Sequence, residues 1–435
     1  MTDTNDTPVG SSWNSDKFIA NLAKRKRSER RFRLIGLAAI LTALTLLAIL
    51  LFSIFSKGYT AFVQTYITLD ITFSESVIDR DGTRDPEALR NANYARLVQD
   101  ALRAKFPEVE GRRNLRTLFS LVSNNASDTL RDMVAQDPGL IGKTVEMPLL
   151  AGDDVDMVNK GYIDRNLAEE NRRVKDQELR WLDILEEEGD LSLHFNTNFF
   201  TQGDSREPEK AGIAGAMVGS FYTLVITMAI AFPLGVMTAI YLEEFAPPSK
   251  FNDLIEVNIN NLAAVPSIVF GLLGLAIFLN VAHLPRSAPI VGGLTLALMT
   301  LPTIIIAARA AIRAVPDSIR QAALGLGASK QQAAFHHVLP LSMPGILTGA
   351  IIGLAQALGE TAPLLMIGMV AFIADIPGGI NDPATVMPVQ IFLWADSPER
   401  AFVEKTSGAI MVLLAFLITM NALAVLLRKK FERRW

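Results

Sequence analysis

The chain has 435 residues, of which 50% are hydrophobic and 20% are charged, and its formal net charge is −4. It contains no cysteine, which excludes disulfides and thiolate metal sites, and no two of its four histidines stand in HExxH spacing. Apolar and charged residues occupy different parts of the chain, and the apolar runs of about 20 residues match the thickness of a hydrocarbon core. The sequence therefore predicts an integral membrane protein with no metal or cofactor.

The first apolar run follows a polar N-terminal segment, residues 1–33, that ends in a basic block from Lys24 to Arg33. The run from Leu34 to Phe55 is longer than the apolar region of a signal peptide, and no A-x-A cleavage pattern follows it. We expect an uncleaved first span over 34–56. Because positive residues stay in the cytoplasm, the N-terminus is predicted to be cytoplasmic.

A large polar insert, residues 57–205, follows and is expected outside the cytoplasm as a folded α+β domain. Ile67, Leu69 and Ile71 alternate with polar residues, which predicts a strand. Amphipathic patterns predict helices over 86–105, 112–134 and 165–188.

From residue 206 to residue 435 the chain is mostly apolar again. Spans are predicted over 212–241, 261–283, 288–308, 344–372 and 406–427. With the first, these make an all-α transmembrane bundle of six helices, whose C-terminus and whose 309–343 loop are cytoplasmic and basic. The 242–260 loop is also expected to be cytoplasmic, although it is mainly acidic.

The 309–343 loop has the pattern of a polar helix–turn–helix between two spans. Gly325 and Gly327 permit a tight turn, and Pro340 marks the return to the membrane. An ordinary connecting loop is the simpler interpretation. Against it, this loop is long, helical in pattern and rich in small residues, which suits docking into a groove of a partner protein.

The spacing resembles the EAA loop of ABC import permeases. Gln321, Ala322 and Ala323 stand where the motif has Glu-Ala-Ala, and Gly327 and Leu339-Pro340 fit without a gap. Gln321 departs from the motif's Glu, and His337 departs from its hydrophobic residue. The segments 260–271, 301–306 and 358–365 are similar to phosphate permeases of the PstA type.

This resemblance implies a type I importer permease fold and a role as half of the pathway of an ATP-driven phosphate importer. It also implies a second, homologous permease subunit, a cytoplasmic ABC ATPase dimer that receives the EAA loop, and a periplasmic phosphate-binding protein; nucleic acid is not expected. The location implied is the bacterial inner membrane, multi-pass. The alternative that the chain is a permease for another oxyanion, such as molybdate or sulfate, remains, because permeases for those oxyanions share the EAA loop.

Ionisable residues inside a span are costly and are therefore functional candidates. Glu360 lies deep in a predicted span, and Gln356 would lie on the same helix face. Arg309 and Arg313 stand at the cytoplasmic end of the fourth span. Arg309 is either an interfacial anchor or a pathway or gating charge facing Glu360.

The remaining interpretations are an enzyme and a membrane sensor. The segment from Gly139 to Thr144 ends like a phosphate-binding loop, but Asp137 stands where that loop needs its first glycine. ATP hydrolysis is therefore assigned to a separate chain. No nucleophile–base pair or metal cluster is evident, and a sensor with an exterior ligand domain needs a cytoplasmic signalling domain that does not follow the last predicted span.

Overall fold

The computed structural model describes residues 16–80 and 82–431. Contacts divide the chain into two units with a boundary between Ser56 and Lys57. The described residues of the first unit, 16–56, lie in the helix α1, Asp16–Gly58. Its apolar side chains between Leu34 and Phe55 are largely exposed, which is typical of a lipid-facing helix. It contains the predicted first span.

The second unit begins with a small domain around a three-stranded antiparallel sheet. Its strands are β1, Val63–Thr72, β2, Thr144–Leu150, and β3, Leu191–Phe195, in the order β2-β1-β3. Tyr66 of β1 faces Leu150 of β2 and Ser192 of β3. The alternation of Ile67, Leu69 and Ile71 buries these side chains under the helices on one face of the sheet.

The helices of this domain are shorter than the sequence predicts, because loops interrupt the amphipathic segments. They are α2, Glu75–Ile78; α3, Pro86–Asn91; α4, Tyr94–Lys105; α5, Arg112–Phe119; α6, Ala126–Gln136; α7, Asp153–Asn159; α8, Asp176–Glu187; and α9, Thr197–Thr201. Leu102, Leu130 and Leu185 are fully buried in the core that these helices share with the sheet. The segment that ends at Thr144 leads into strand β2, whereas a phosphate-binding loop leads into a helix.

The rest of the described chain is mostly helical, and its longest stretch without a helix is residues 367–386. Its helices are α10, Ala214–Ile240; α11, Lys250–Ala263; α12, Ser267–Gly274; α13, Pro289–Arg313; α14, Asp317–Gly325; α15, Lys330–Gln332; α16, Leu339–Gly359; α17, Ala362–Met366; α18, Met387–Ala395; and α19, Ala401–Phe431. π-helical turns extend α10 to Phe245 and α12 to Val281, and join α15 to α16. Helices α10, α13 and α16 pack on one another around buried Ile304 and Gly349.

Five helices of the described chain are long and apolar enough to cross a membrane, or six if α11 and α12 form one bent span. These two helices meet at an angle of 102°. Pro266 lies at the break. It interrupts the helix because proline disfavours helical conformation in the residue before it and has no N–H to donate. The predicted span over 261–283 is therefore not one continuous helix, because its unbroken helical part begins at Ser267. Helix α11 lies largely within the predicted 242–260 loop.

The predicted span over 344–372 also differs from the structure. Helix α16 ends at Gly359, Glu360 is extended with φ −79° and ψ 126°, and the short α17 follows. Glycine is a poor helix former, and Pro363 cannot donate to a continuing helix, so the chain breaks here. The interpretation that Gln356 and Glu360 share a helix face is wrong, because Glu360 lies outside the helix.

Candidate coupling loop and pathway residues

The 309–343 loop that resembles the EAA loop, called the coupling loop from here on, forms two helical segments joined by a tight turn. Helix α14 contains Gln321, Ala322 and Ala323, and α16 begins with Leu339 and Pro340. Between them, Gly327 has φ +89°, in the left-handed region that favours glycine. Its N–H donates to the carbonyl of Leu324 at 2.9 Å, which closes the turn. The turn predicted from the glycines is present.

The second segment of this loop has a defined start. The Ser329 hydroxyl accepts from the N–H of Gln332 at 3.2 Å, and the Gln332 side chain accepts from the N–H of Ser329 at 2.9 Å. This reciprocal capping box satisfies two N–H groups that a helix start otherwise leaves unpaired. The loop is thus a built structural unit rather than an irregular connection.

The tip of the loop presents apolar side chains to solvent. Leu326 is 90% exposed, Phe335 is 50% exposed and Leu324 is 45% exposed. Gln321 and Ala322 are exposed beside them, while Ala323 is buried. A cluster of exposed apolar side chains on a polar loop is typical of a protein-binding surface.

Carboxylates at the end of α10 hold the arginines of α13. The Arg309 Nε donates to Glu243 Oε1 at 2.6 Å, and its Nη2 lies 2.7 Å from Glu256 Oε2. The Nε of Arg313 donates to the other oxygen of Glu243 at 2.7 Å. The side chains of Arg309 and Glu243 are 9% and 10% exposed, so water screens this ion pair little. Three helices, α10, α11 and α13, are therefore joined by one ion-pair network.

A second ion pair joins the coupling loop itself to α10. Arg320 of α14 donates from both Nε and Nη2 to Glu244, at 3.0 and 2.8 Å, and also donates to the carbonyls of Val315 and Ile312. The hydrogen bond to Glu244 is the main cause that raises the pKa of Arg320. The Glu244–Arg320 and Glu243–Arg313 pairs border a cavity of about 380 Å³ that Leu324, Lys330 and Ala333 also line.

The structure does not place Arg309 opposite Glu360. Arg309 is held by Glu243 and Glu256, so the suggested pairing with Glu360 is wrong for this chain. Glu360 is half-buried at the break after α16 and makes no ion pair among the residues that the structure describes. Gln356 is exposed and accepts from the Thr303 hydroxyl at 3.4 Å.

Glu243, Glu244 and Glu256 are the functional candidates that sequence reasoning missed. The sequence pattern predicts a cytoplasmic position for their loop and indicates no role for its acidic residues. One signal was available: the Glu243-Glu244 pair ends one apolar run, and the arginines at 309, 313 and 320 end or follow another. Ends of spans on the same side of a membrane can meet, so opposite charges at such ends predict a contact.

A second missed cluster joins the insert to the last helix. Lys160 Nζ lies 2.7 Å from Asp156 Oδ2 and 2.8 Å from Glu404 Oε1, and the side chains of Lys160 and Glu404 are each 3% exposed. Burial opposes the charge on Lys160, but Asp156 and Glu404 together outweigh it and raise the pKa of Lys160. Lys405, next along α19, lies 5.3 Å from the ring centre of Phe199 and donates to the carbonyl of Ala211.

No set of three or more His, Cys, Asp and Glu side chains in residues 16–80 and 82–431 is arranged to hold a metal ion. The chemistry of the described site is that of ion pairs and protein contact. Such an arrangement can transmit movement between the helices that it joins.

Comparison with known proteins assigns the two parts of the chain to different sequence families. Residues 231–435 match "Binding-protein-dependent transport system inner membrane component", and residues 19–169 match "Domain of unknown function (DUF3333)". The chain is 30% identical over 223 residues to "Phosphate transport system permease protein PstA 1" of Mycobacterium tuberculosis (strain ATCC 25618 / H37Rv), covering 51% of this chain and 71% of that protein.

The chain is also similar to a second permease by sequence and to a solved transporter by structure, over different shares of its length. "Probable ABC transporter permease protein YqgI" of Bacillus subtilis (strain 168) is 38% identical over 168 residues, and the match spans 38% of this chain and 56% of that protein. The MetNI methionine ABC transporter, in an inward-facing crystal structure, aligns at a TM-score of 0.39 with 17% identity, over 49% of this chain and 95% of that chain.

The sequence similarities define the class as inner-membrane permease subunits of ABC importers. Within that class, the chain belongs to the family of PstA-type permeases. The predicted family is confirmed, and with it the mostly helical importer-permease fold and a multi-pass location in the membrane.

Proposed function

We propose that this chain forms half of the translocation pathway of an ATP-driven importer for inorganic phosphate. The observation that carries the proposal is the similarity to phosphate permeases through the helical part of the chain, at 30% identity over 51% of its length. Phosphate is the named substrate of those relatives, and the segments 260–271, 301–306 and 358–365 belong to the aligned part of the sequence family. A cytoplasmic ABC ATPase dimer, a second permease subunit and a periplasmic phosphate-binding protein complete the proposed assembly.

The proposed contact with the ATPase is the tip of the loop from α14 to α16. Its exposed Leu324, Leu326 and Phe335 supply apolar area, and Gln321 and Ala322 lie beside them. The Glu244–Arg320 pair supports this role, because it fixes α14 to the end of α10. A movement of the loop would then displace spanning helices rather than the loop alone.

Glu360 is the proposed gating residue of the pathway. A carboxylate repels phosphate, so its role is a contact that changes between states, with a basic side chain of the partner subunit as its counter-charge. Helix breaks inside spans recur where transport proteins bind or gate, since freed backbone groups need protein or water beside them. The break between Gly359 and Ala362 supports this position.

Both termini are proposed to be cytoplasmic and the insert periplasmic. The basic residues before Leu34 and after Leu427 support this orientation. Protease added to intact spheroplasts should cut within 57–205 and should leave a C-terminal epitope intact. Loss of the C-terminal epitope under the same conditions would contradict the six-span topology.

Uptake in a deletion strain tests the substrate. We expect deletion of the gene to lower uptake of radioactive phosphate at micromolar concentrations, and the wild-type chain to restore it. Uptake of molybdate and sulfate should stay unchanged. A deletion that lowers molybdate or sulfate uptake and spares phosphate would replace the proposal with the alternative oxyanion.

A further inference from the structure

An exposed apolar edge interrupts the otherwise charged surface of the insert. Leu193 and Phe195 on strand β3 are 52% and 60% exposed. The ring of Phe195 stacks on Phe200 with centres 5.8 Å apart and planes at 4°, and Phe200 stacks on Phe62 at 5.8 Å and 11°. We call Phe62, Leu193, Phe195 and Phe200 the aromatic edge.

The two chain segments that form the aromatic edge contain no acidic residue, lysine or arginine, and His194 is their one histidine. No Asp, Glu, Lys or Arg occurs between Lys57 and Asp70 or between Asp190 and Asp204. Elsewhere the insert is rich in charge; α5, for example, has arginines at three of its eight positions. A charge-free stretch that holds exposed aromatic rings is unusual for a surface that faces water only.

Backbone hydrogen bonds fix the aromatic edge to the ends of membrane-spanning helices. The carbonyl of Phe199 accepts from the N–H of Ile213 at 2.8 Å, and the carbonyl of Gln202 accepts from the N–H of Ala214, the first residue of α10, at 3.0 Å. Phe200 lies within this hydrogen-bonded segment. Its position along the membrane normal is therefore set by the start of α10.

The same segment is also attached to the start of the last helix. Phe199 packs 6.4 Å from Trp394, whose ring lies 5.7 Å from Phe402 in the first turn of α19. The fully buried Asn196 donates to the carbonyl of Ala61 and accepts from the N–H of Phe199, which holds Phe62 and β3 to this point. Two spanning helices thus begin at the level of the aromatic edge.

Strand β3 is an edge strand of the sheet among the described residues. An exposed apolar edge strand in water is a site of unwanted strand pairing, and proteins usually protect such edges with charge or cover. Strand β3 carries no Asp, Glu, Lys or Arg, so we expect a cover over its exposed apolar side chains. Exposed apolar residues, Phe221 and Val225, follow on α10 itself, which begins at the aromatic edge.

We infer that the aromatic edge inserts into the headgroup–acyl boundary of the bilayer leaflet on the insert's side of the membrane. Aromatic side chains are enriched at that depth, where apolar rings leave water while backbone groups still meet polar partners. The insert then rests on the lipid surface through β3 as well as on α19 through Lys160. This inference concerns the insert alone and is independent of the transported substrate.

The depth of a spin label tests the inference. The chain has no cysteine, so Phe195→Cys in the full chain, reconstituted in phosphatidylcholine–phosphatidylglycerol nanodiscs, carries one nitroxide. Leu193→Cys is a second site, and Asp70→Cys, exposed at the far end of β1, is the aqueous control. Power-saturation EPR compares collisions with oxygen, which concentrates in lipid, and with a water-soluble nickel chelate.

We expect the oxygen-to-nickel collision ratio to be several-fold higher at positions 193 and 195 than at position 70. A ratio equal to that of position 70 places the aromatic edge in water and overturns the inference. Low collision rates with both reagents would mean that protein, such as a partner strand or subunit, covers β3, and this result would overturn it as well.

Discussion

Lys160 of the insert and Glu404 of helix α19 form an ion pair in which each side chain is only 3% exposed. The two residues are 244 positions apart in the chain, and Asp156 provides a second carboxylate to the same ammonium group. The insert is therefore fixed to the last spanning helix by charge as well as by apolar packing. A buried ammonium group of this kind depends on both carboxylates.

We expect Lys160→Met to destabilise the contact between the insert and α19 by about 3–5 kcal/mol, because two buried carboxylates lose their counter-charge. Thermal unfolding of the purified chain, together with hydrogen exchange of residues 153–160, measures this loss. Lys143→Met is the matched control: Lys143 is an exposed lysine of the same domain, and its substitution should change stability by less than about 0.5 kcal/mol. Equal effects of the two substitutions would contradict a structural role for the Lys160–Glu404 pair.

The Glu244–Arg320 pair predicts a defect in coupling rather than in assembly. Arg320→Gln and Glu244→Gln each detach α14 from the end of α10, so the ATPase should still bind while less phosphate is carried per ATP hydrolysed. Arg320→Lys is the informative control, since lysine keeps the charge but not the two-pronged geometry. We expect the phosphate carried per ATP hydrolysed by Arg320→Lys to lie between the values of the wild-type chain and Arg320→Gln.

A double variant tests whether the two residues act together. If the pair is the functional unit, Arg320→Gln with Glu244→Gln should cost no more than the worse single variant. The measurement is phosphate uptake and ATP hydrolysis in proteoliposomes that hold the full transporter. Additive losses would show that the residues act separately.

The parts of the fold that sequence predicts best are those governed by local pattern. The alternation from Ile67 to Ile71 predicts a strand, and β1 runs from Val63 to Thr72. The glycines at 325 and 327 predict a turn, and the positive φ of Gly327 agrees with it. In each case the neighbouring residues alone carry the information.

The parts that sequence does not predict depend on distant residues. Nothing near Lys160 indicates that its partner is Glu404, and the pairing of Arg309 with Glu243 becomes visible only when the ends of two distant apolar runs are compared. The end of α16 at Gly359 was missed because hydropathy continues through Pro363. Hydropathy measures transfer to lipid and does not register a break in backbone hydrogen bonding.

Two glycines of the coupling loop give a matched test of backbone conformation. A Cβ added to Gly325 or to Gly327 meets no atom within 4 Å, but only Gly327 has a positive φ, +89°. Gly327→Ala and Gly327→Asp should therefore strain the turn by about 1–2 kcal/mol and lower coupled uptake, whereas Gly325→Ala should have little effect. Phosphate uptake and ATP hydrolysis in proteoliposomes measure the effect. Equal loss of uptake in Gly325→Ala and Gly327→Ala would mean that the added methyl group disturbs the loop surface, and that the positive φ of Gly327 is not the cause.

Asp153 predicts a pH dependence of the insert. Burial, followed by the charges of Asp154 and Glu209, raises the pKa of Asp153 from 3.8 to about 7. A carboxyl whose pKa is raised by folding holds its proton more tightly in the folded state than in the unfolded state. Its contribution to stability is therefore present below about pH 4 and is lost as pH rises to about 7. Asp153→Asn should therefore raise the unfolding temperature more at pH 8 than at pH 5.

The comparison of wild-type and Asp153→Asn chains across pH 5 to pH 8 measures this difference directly. Asp154→Asn provides a second check, because it removes a charge that raises the pKa of Asp153 and should shift the pH dependence to lower pH. A stability difference that does not change with pH would contradict an ionisation of Asp153 in this range.

Glu360 provides the test of the pathway itself. It is half-buried at the break between α16 and α17. Arg309 and Arg313 cannot readily serve as its counter-charge, because both already pair with Glu243. Glu360→Gln keeps the shape and removes the charge, so we expect slower phosphate uptake while the ATPase still co-purifies with the chain. Glu360→Asp keeps the charge on a shorter side chain and should retain more uptake than Glu360→Gln. Unchanged uptake kinetics in Glu360→Gln would assign the residue to packing alone, and equal loss in both variants would mean that transport requires its length as well as its charge.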